Sequence, residues 1–319
     1  MKRISLDRFL ACREEFDRAV LATPEIATFC SQTPWQRAAI DNLASGETAG
    51  ERLIIEEEGN WLLFAERQGT GVFYPWESSW MFGSSLIGNP EATVDLLFRV
   101  AEEGFRGKVG FCLGGVRKSG AHFAALERRK SSCHHWQEFP GTDCMLIDLS
   151  QGYEAWLARR SKKFRKTMRQ LRVPDGSEIV DASDAPVPDL MQRILAIQQQ
   201  TYKWREGTDI FLSEEYRLFY AQLMTDLQER NQLRVLFVTE SDRDVAFQLG
   251  GLYEKGYRGL QMSYVDEAKS WGLGNWLQLE NLKRSATEGR SEYDLGMHSP
   301  YKERWADRQE DYLVLFVVL

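Results

Sequence analysis

The sequence predicts a mixed α/β fold that is divided into two domains. Its 319 residues exceed the roughly 100–200 residues that one domain usually contains. Both halves alternate between segments with the two-residue period of strands and segments with the 3.6-residue period of helices. Pro140 and Gly141 separate the halves, because these residue types interrupt regular structure. We therefore expect domains at residues 1–140 and 141–319.

The first half contains three strand-like segments and two helical ones. The strands are expected at residues 52–57, 60–68 and 108–113, and the helices at residues 91–103 and 119–130. This mixture of elements predicts one sheet with helices packed on it.

Three helices are expected at the start of the second half. The first ends before Pro174, which cannot continue a helix, and its apolar face comprises Tyr153, Trp156, Leu157, Phe164, Met168 and Leu171. The second runs from Leu190 toward Trp204. The third opens at Ser213, whose hydroxyl can cap it.

The remaining elements alternate between strands and helices. Three consecutive strands at residues 233–240, 245–253 and 257–265 are joined by the turn sequences SDRD and EKG, which is typical of hairpins. They are followed by a helix at 274–287, a strand at 291–296, a helical turn from Pro300 and a strand at 311–319.

The composition is that of a globular protein. Hydrophobic residues make up 43% and charged residues 27% of the chain, which argues against disorder, collagen-like repeats and coiled coil. The formal net charge of −7 excludes a surface that binds nucleic acid as a whole. Five cysteines without a C-x-x-C pair predict reduced thiols.

Neither a membrane span nor a secretory signal is expected. The longest apolar run, at residues 312–319, is far shorter than the ~20 residues that cross a bilayer. Asp7, Arg8 and Arg13 would lie inside the apolar region of a signal peptide. The sequence therefore predicts a cytoplasmic location.

The segment at residues 271–307 carries a recognisable set of residues. A glycine-rich helix start precedes a G-x-x-x-Y-D-x-G strand and a Y-K-x-x-W turn, formed by Gly289, Tyr293, Asp294, Gly296, Tyr301, Lys302 and Trp305. This segment resembles the GNAT-type acyltransferase subfamily of cellulose-biosynthesis loci, which is related to the Fem-type peptidyltransferases. The resemblance implies two tandem GNAT-like domains. The first would be degenerate and non-catalytic, because it lacks a Gly-x-Gly helix start.

The resemblance also implies acetyl-CoA or another acyl-CoA as co-substrate. Helix N-termini offer free N–H groups and a favourable dipole to a pyrophosphate, and the candidates here are Trp271, Gly272, Leu273, Gly274 and Asn275. An ordinary loop ending in a helix is the alternative. The preceding strand would pair its backbone with the pantetheine arm through Gln261, Met262, Ser263, Tyr264 and Val265. A plain buried strand is the competing interpretation.

Residues 158–172 hold eight basic side chains and no acidic one. A solvated helix face and an anionic partner are equally supported. That partner would be the CoA 3′-phosphate, an acidic acceptor or RNA, and some related Fem-type enzymes use aminoacyl-tRNA. The net charge of −7 disfavours tRNA, because the remaining surface repels phosphates. Arg165, Trp204 and Lys302 are the candidates for substrate binding.

Acyl transfer to an amine needs a proton acceptor and often an acid for the departing thiolate. Asp294, His298 and Tyr301 lie within eight residues, on the strand end and turn beyond the glycine-rich helix. The resemblance supports Asp294 and Tyr301, and His298 has no counterpart in the family pattern. Asp294 could instead form an ion pair with Lys302.

No metal site is expected. The spacing of the candidate ligands matches no common zinc pattern; they are His122, Cys133, His134, His135, Asp143 and Cys144.

Three functions are compatible with the sequence. The first is an N-acyltransferase that moves an acyl group from CoA to an amine of a small molecule or glycan precursor, by direct attack because the motif contains no cysteine. The second is a Fem-like aminoacyl transferase that uses charged tRNA. The third is a non-catalytic module that binds acyl-CoA.

Overall fold

Two β-sheets organise the computed structural model, which describes residues 2–43, 49–105, 107–171 and 173–319. The chain divides into a first unit, formed by residues 1–143 and 310–319, and a second unit, formed by residues 144–309. Each unit has its own sheet. The prediction of a mixed α/β fold with two sheets is therefore confirmed.

Six helices and eight strands form the first unit within the described residues. The helices are α1 (Leu6–Ala11), α2 (Arg13–Ala22), α3 (Thr28–Ser31), α4 (Thr33–Asn42), α5 (Pro90–Gly104) and α6 (Ala121–Arg128). The strands are β1 (Lys2–Arg3), β2 (Ala49–Glu57), β3 (Asn60–Arg67), β4 (Val72–Tyr74), β5 (Leu86–Ile87), β6 (Gly110–Arg117), β7 (His135–Pro140) and, from the far end of the chain, β15 (Tyr312–Val318).

The first sheet has the order β1-β2-β3-β4-β6-β15-β7, with β5 paired to β3. Strands β4 and β6 run parallel, and α5 lies between them in the sequence. One hydrophobic core includes Phe64, Phe111 and Leu315. All five cysteines are free thiols.

Seven helices and seven strands form the second unit, again counting described residues only. The helices are α7 (Gly152–Arg159), α8 (Lys162–Arg169), α9 (Val187–Gln198), α10 (Tyr202–Arg205), α11 (Glu214–Glu229), α12 (Leu273–Thr287) and α13 (Pro300–Glu303). The strands are β8 (Cys144–Asp148), β9 (Glu178–Asp181), β10 (Leu233–Glu240), β11 (Arg243–Tyr253), β12 (Gly256–Tyr264), β13 (Glu292–Met297) and β14 (Arg308–Glu310).

The second sheet has the order β14-β8-β13-β12-β11-β10-β9. Strands β9 to β12 form antiparallel neighbours, whereas β12 and β13 run parallel and are connected by α12. The core beneath them includes Trp156 and Trp305, whose rings stack with centroids 5.9 Å apart. Phe164 and Met168 fasten α8 to this core.

The last strand of the chain returns to the first sheet. Strand β8, the first strand of the second unit, pairs with β13 of its own sheet. Strand β15 follows the elements of the second unit but lies between β6 and β7. Residues 310–319, which the sequence analysis assigns to the second domain, therefore belong to the first unit, because Leu313, Leu315 and Val317 complete its core.

Three local predictions differ from the structure. The helix expected to run from Leu190 toward Trp204 is divided into α9 and α10. The helix expected to carry Tyr153 through Leu171 is broken into α7 and α8, because Arg160 is extended and the Ser161 side chain accepts a hydrogen bond from Phe164 N at 3.1 Å. Ser213 does precede α11, but its side chain forms no capping hydrogen bond within the described part of the chain. Across the described ranges, the structure contains no helix that is both long and apolar enough for a bilayer.

Candidate functional site

Strands β12 and β13 separate at a defined point, which we call the strand opening. Their parallel register pairs Tyr257 with Tyr293 and ends at Arg258 with Asp294. Strand β12 continues beyond it to Tyr264. Gly259 stands at the start of the opening, where a Cβ atom would lie 3.4 Å from Asp294 O. The edge of β12 that faced β13 is thus released from the ladder.

Helix α12 begins beside this released edge. Its N-cap residue, Gly272, has the left-handed backbone conformation (φ 72°) that favours glycine. Gly272 has no side chain with which to cap the helix, and the first turn contains no acidic residue. The N–H groups of this turn and the helix dipole therefore favour an anion.

Gly274 brings the helix start against β12. A Cβ atom at this position would lie 3.4 Å from Met262 Cε and 3.7 Å from Tyr264 Cε1. The structure thus brings together two of the predicted cofactor-binding segments, the first turn of α12 and the end of β12. Trp271 and Val265 lie in the connection between these elements.

A buried charged cluster lies at the strand opening. Arg258 is 2% exposed and forms an ion pair with Asp294, which also accepts a hydrogen bond from Gly296 N at 2.7 Å. Arg258 donates to Cys144 Sγ at 3.5 Å as well. Asp294 is thus paired with Arg258, whereas the sequence suggested Lys302 as its partner.

Lys302 is half-buried beside this cluster. Its Nζ donates to Met297 O at 2.8 Å. Burial, followed by the positive charge of Arg258, lowers the pKa of Lys302 to about 8. A large fraction of this amine is therefore neutral at mildly alkaline pH, when it can accept a proton.

Tyr301 connects α13 to the start of α12. Its hydroxyl donates to Asn275 Oδ1 at 3.2 Å, and Arg304 donates to the same oxygen at 3.3 Å. Burial raises the pKa of Tyr301. Its hydroxyl therefore stays protonated at neutral pH.

The other predicted site residues are more exposed. His298 Nε2 lies 2.8 Å from Glu303 Oε1 at the surface. Trp204 is half-buried on α10. Arg165 donates to Ala158 O at 2.7 Å, on the preceding helix. Arg172, the last basic residue of the charged segment, lies outside the described residues.

Sequence reasoning missed Arg258 and Cys144 as members of the cluster. Arg258 is the one charged residue in the strand segment GYRGLQMSY, which is a signal for a buried ion pair. Cys144 lies three residues after the predicted break between domains, and the antiparallel pairing of β8 with β13 places it beside Arg258.

The sequence and the fold were compared with known proteins. Residues 158–303 match the acetyltransferase (GNAT) domain family. The search of curated proteins returns no match.

Solved structures resemble the whole chain. A conserved protein of unknown function from Bacteroides thetaiotaomicron has a TM-score of 0.68 at 13% identity, covering 100% of this chain and 99% of that one. FemX also has a TM-score of 0.68, at 12% identity, covering 99% and 97%. A tandem GNAT protein from the clavulanic acid biosynthesis pathway has a TM-score of 0.52 at 12% identity, covering 98% and 96%. Residues 158–303 are therefore similar to the acetyltransferase (GNAT) domain family, within a chain that folds as two tandem GNAT-like domains.

Proposed function

We propose that the protein is an N-acyltransferase that moves an acyl group from acyl-CoA to an amine of a small molecule or glycan precursor. The observation that carries this proposal is the uncapped start of α12 at Gly272, placed against the released edge of β12. Within this proposal, the chain falls in the GNAT subfamily of cellulose-biosynthesis loci, and the first unit is non-catalytic.

The donor would be held by backbone groups. The N–H groups of Leu273, Gly274 and Asn275 would bind the pyrophosphate, because they open an uncapped helix whose first turn carries no acidic residue. The backbone of Gln261–Val265 would pair with the amides of the pantetheine arm, since this stretch of β12 lies beyond its register with β13. This places the thioester near the strand opening.

Residues at the opening would move the two protons of the reaction. The amine nitrogen attacks the thioester carbonyl carbon, the C–S bond breaks, and the sulfur leaves as a thiolate. Neutral Lys302 would accept the proton that the ammonium loses, with His298 and Asp294 as the other candidates. Tyr301 would protonate the thiolate, and the second proton that the attacking nitrogen loses as the amide forms would restore the Tyr301 hydroxyl. Because Asp294 pairs with Arg258, we assign it mainly to holding Arg258 beside Lys302.

Direct attack remains the proposed route, although the structure places Cys144 beside Arg258. Cys144 is 2% exposed, and an acyl-enzyme would require its sulfur to reach the thioester. Cys144→Ser should therefore retain turnover within about threefold. A loss of more than a hundredfold, together with ping-pong kinetics, would indicate an acyl-enzyme instead.

The proposal is tested in two stages with the full chain. Native mass spectrometry with acyl-CoAs of graded length should detect one bound donor, and a thiol-release assay against a panel of amines should then detect turnover. Donor binding without thiol release for any amine would contradict the enzymatic proposal and favour the non-catalytic module. Failure to bind any acyl-CoA would remove the donor assignment.

A second candidate is a Fem-like aminoacyl transferase that uses charged tRNA. The observation in its favour is α8, whose exposed basic side chains include Lys162, Lys163, Lys166 and Arg169. Leu171 follows this helix, and its Cδ2 would lie 2.9 Å from a Cβ atom placed at Gly272. The basic helix therefore ends next to the proposed phosphate site.

Salt dependence separates the two donors. Binding of tRNA should weaken steeply between about 50 and 200 mM salt, and a variant with Gln at Lys162, Lys163, Arg165 and Lys166 should abolish it without a change in thermal stability. If the wild type retains no tRNA at low salt, the second candidate is excluded.

A further inference from the structure

The short helix α13, which carries Tyr301 and Lys302, has little structure of its own to hold it in place. It comprises four residues, Pro300–Glu303, and a helix this short is not stable in isolation. None of the four residues is fully buried, and Ser299 provides no side-chain cap within the described part of the chain. Contacts outside the helix must therefore fix the positions of Tyr301 and Lys302.

Two side chains from the region of α7 hold the segment that follows α13. Trp305 is fully buried against Trp156, whose Nε1 donates a hydrogen bond to Trp305 O at 3.1 Å. Arg160 Nη1 donates to the same oxygen at 3.0 Å and to Ala306 O at 2.7 Å. Its Nη2 forms an ion pair with Asp307. One guanidinium thus binds three consecutive residues directly beyond the helix.

The residues that Arg160 binds are themselves bonded to the backbone of Lys302. Trp305 N and Ala306 N donate hydrogen bonds to Lys302 O at 2.9 and 3.0 Å. Hydrogen bonds therefore lead from the Arg160 side chain, through Trp305 and Ala306, to the backbone of Lys302. A displacement of the segment after α13 would move the Lys302 amine with it.

The break between α7 and α8 places Arg160 where it can make these contacts. The Arg160 backbone is extended (ψ 153°), its side chain is 10% exposed, and its guanidinium lies 5.6 Å from the centre of the Trp156 ring. A guanidinium is a planar fork of N–H donors, which can bind two carbonyl oxygens and a carboxylate together. A lysine ammonium is a compact charge without this fork and could not hold all three groups in this arrangement.

We infer that Arg160 is a positioning residue, which holds α13 so that Tyr301 and Lys302 lie at the strand opening. The inference rests on the proposed function, in which these two residues carry the protons of the reaction. Arg160 contacts neither proton carrier through its side chain, and its effect on the reaction passes through Trp305 and Ala306.

The first test needs no substrate. The amine of Lys302 is titrated by NMR in the full chain with labelled lysine, and Lys302→Met identifies its signal. Arg160→Lys and Arg160→Met remove the fork that binds Trp305 O and Ala306 O. Water should then reach the Lys302 amine, and its pKa should rise from about 8 toward the ordinary 10.5.

Arg159 offers a matched control. It also binds Asp307, at 3.1 Å, but among the described residues it donates to neither Trp305 O nor Ala306 O, so Arg159→Gln should leave the titration of Lys302 unchanged. Arg160→Lys keeps a positive charge beside Asp307 and provides the test if Arg160→Met does not fold. The inference is overturned if folded Arg160 variants lose only thermal stability while Lys302 titrates as in the wild type, or if Arg159→Gln raises its pKa equally.

Turnover distinguishes this inference from the proposed function. If thiol release occurs, Arg160→Lys should lower kcat by about 10- to 100-fold and move the rise of kcat/KM to higher pH. The KM for acyl-CoA should stay within about twofold, because β12 and α12 form the proposed donor site. Thiol release with an unchanged kcat and pH profile would refute the role of Arg160 and spare the acyltransferase. A raised pKa of Lys302 in the Arg160 variants, without thiol release for any amine, would refute the acyltransferase and support the positioning of α13 by Arg160.

Discussion

The two units build the same connection between parallel strands but begin its helix differently. In the first unit, Asn89 caps α5 by accepting hydrogen bonds from Glu91 N and Ala92 N, both at 3.1 Å. Pro90 at the first helical position has no N–H, and Glu91 adds a negative charge. In the second unit, Gly272 and Gly274 occupy the positions of Asn89 and Glu91 relative to the helix start. The first helix satisfies its own N-terminus, and the second leaves it open to a ligand.

The parallel strand pairs that α5 and α12 connect also differ in the residues at the end of their register. The parallel register of β4 and β6 ends at Phe73 and Phe111, whose rings stack with centroids 5.6 Å apart. The register of β12 and β13 ends at Arg258 and Asp294. One topology thus supports an apolar core in one unit and a charged cluster in the other. The chemistry available beside the helix start therefore depends on the residues at a few positions and not on the fold.

The largest expected effect is on catalysis at the charged strand opening. Lys302→Met should lower kcat/KM by about 10²–10⁴, because the variant cannot accept a proton. In the wild type, kcat/KM should rise as pH increases through about 8, as Lys302 becomes neutral, and the variant should lack this limb. The measurement is the pH profile of kcat/KM.

Two companion variants identify the proton carriers. A loss of kcat/KM in His298→Ala as large as that in Lys302→Met would assign the base to His298 instead. Tyr301→Phe should mainly lower kcat, and less so with a donor whose thiol leaves more easily. Activity within about twofold of wild type for all three variants would remove this turn from the mechanism.

The pH dependence of the free energy of unfolding provides an independent check on the lowered pKa of Lys302. Its pKa of about 8 in the folded protein lies below the ordinary value of 10.5, so the unfolded state binds more protons between these values. The contribution of Lys302 to the free energy of unfolding should therefore increase from about pH 8 to about pH 10.5. Lys302→Met should flatten this increase in denaturant titrations.

The next largest effect concerns the buried ion pair of Arg258 and Asp294. It stands at the end of the parallel strand register, where the first unit has Phe73 and Phe111. Asp294→Leu leaves Arg258 buried without its carboxylate and should lower the free energy of unfolding by about 3–5 kcal/mol. The double variant Arg258→Met, Asp294→Leu imitates the apolar opening of the first unit and should recover most of that loss while remaining inactive. Denaturant unfolding gives the free energy of unfolding of both variants. If the Arg258→Met substitution only adds a further loss to that of Asp294→Leu, the comparison is contradicted.

A smaller effect is expected at Gly274, which occupies the same position in α12 as Glu91 does in α5. Gly274→Asp should weaken acyl-CoA binding more than tenfold, because its carboxylate would face the pyrophosphate. The fold should persist, since a Cβ at this position meets its nearest neighbour at an ordinary 3.4 Å. Calorimetry with acyl-CoA tests the change. Gly274→Ala and Glu91→Gln are the matched controls and should leave the affinity within about threefold.

The smallest effect concerns the cap of α5. Asn89→Ala should lower the free energy of unfolding by about 1 kcal/mol and leave the affinity for acyl-CoA unchanged. Denaturant unfolding and calorimetry measure the two quantities. A weaker affinity for acyl-CoA in this variant would show that the first helix start also serves the ligand.

Local pattern predicted most elements of the second unit. Strand β10 has the predicted bounds, and β11, β12 and α12 begin or end within two residues of the prediction, because alternation, hairpin turns and helical periodicity are written in consecutive residues. The glycines at 272 and 274 likewise identified a helix start. The prediction of two tandem GNAT-like domains is confirmed by the comparisons.

Features that depend on distant residues were not predictable. The continuous apolar run of β15 indicates a buried strand, but it does not indicate which sheet the strand joins. The ion pair of Arg258 with Asp294 depends on the register of two parallel strands.

The position of β15 between β6 and β7 sets an order of events during synthesis. A ribosome adds about 5–20 residues per second, so residues 312–318 appear roughly ten to thirty seconds after β7. Until then, β6 and β7 lack the strand that joins them, and the nascent first unit exposes unpaired edges that invite association with other chains. The amino-terminal half therefore cannot mature while it is being made, and its final structure depends on a segment translated after the whole second unit.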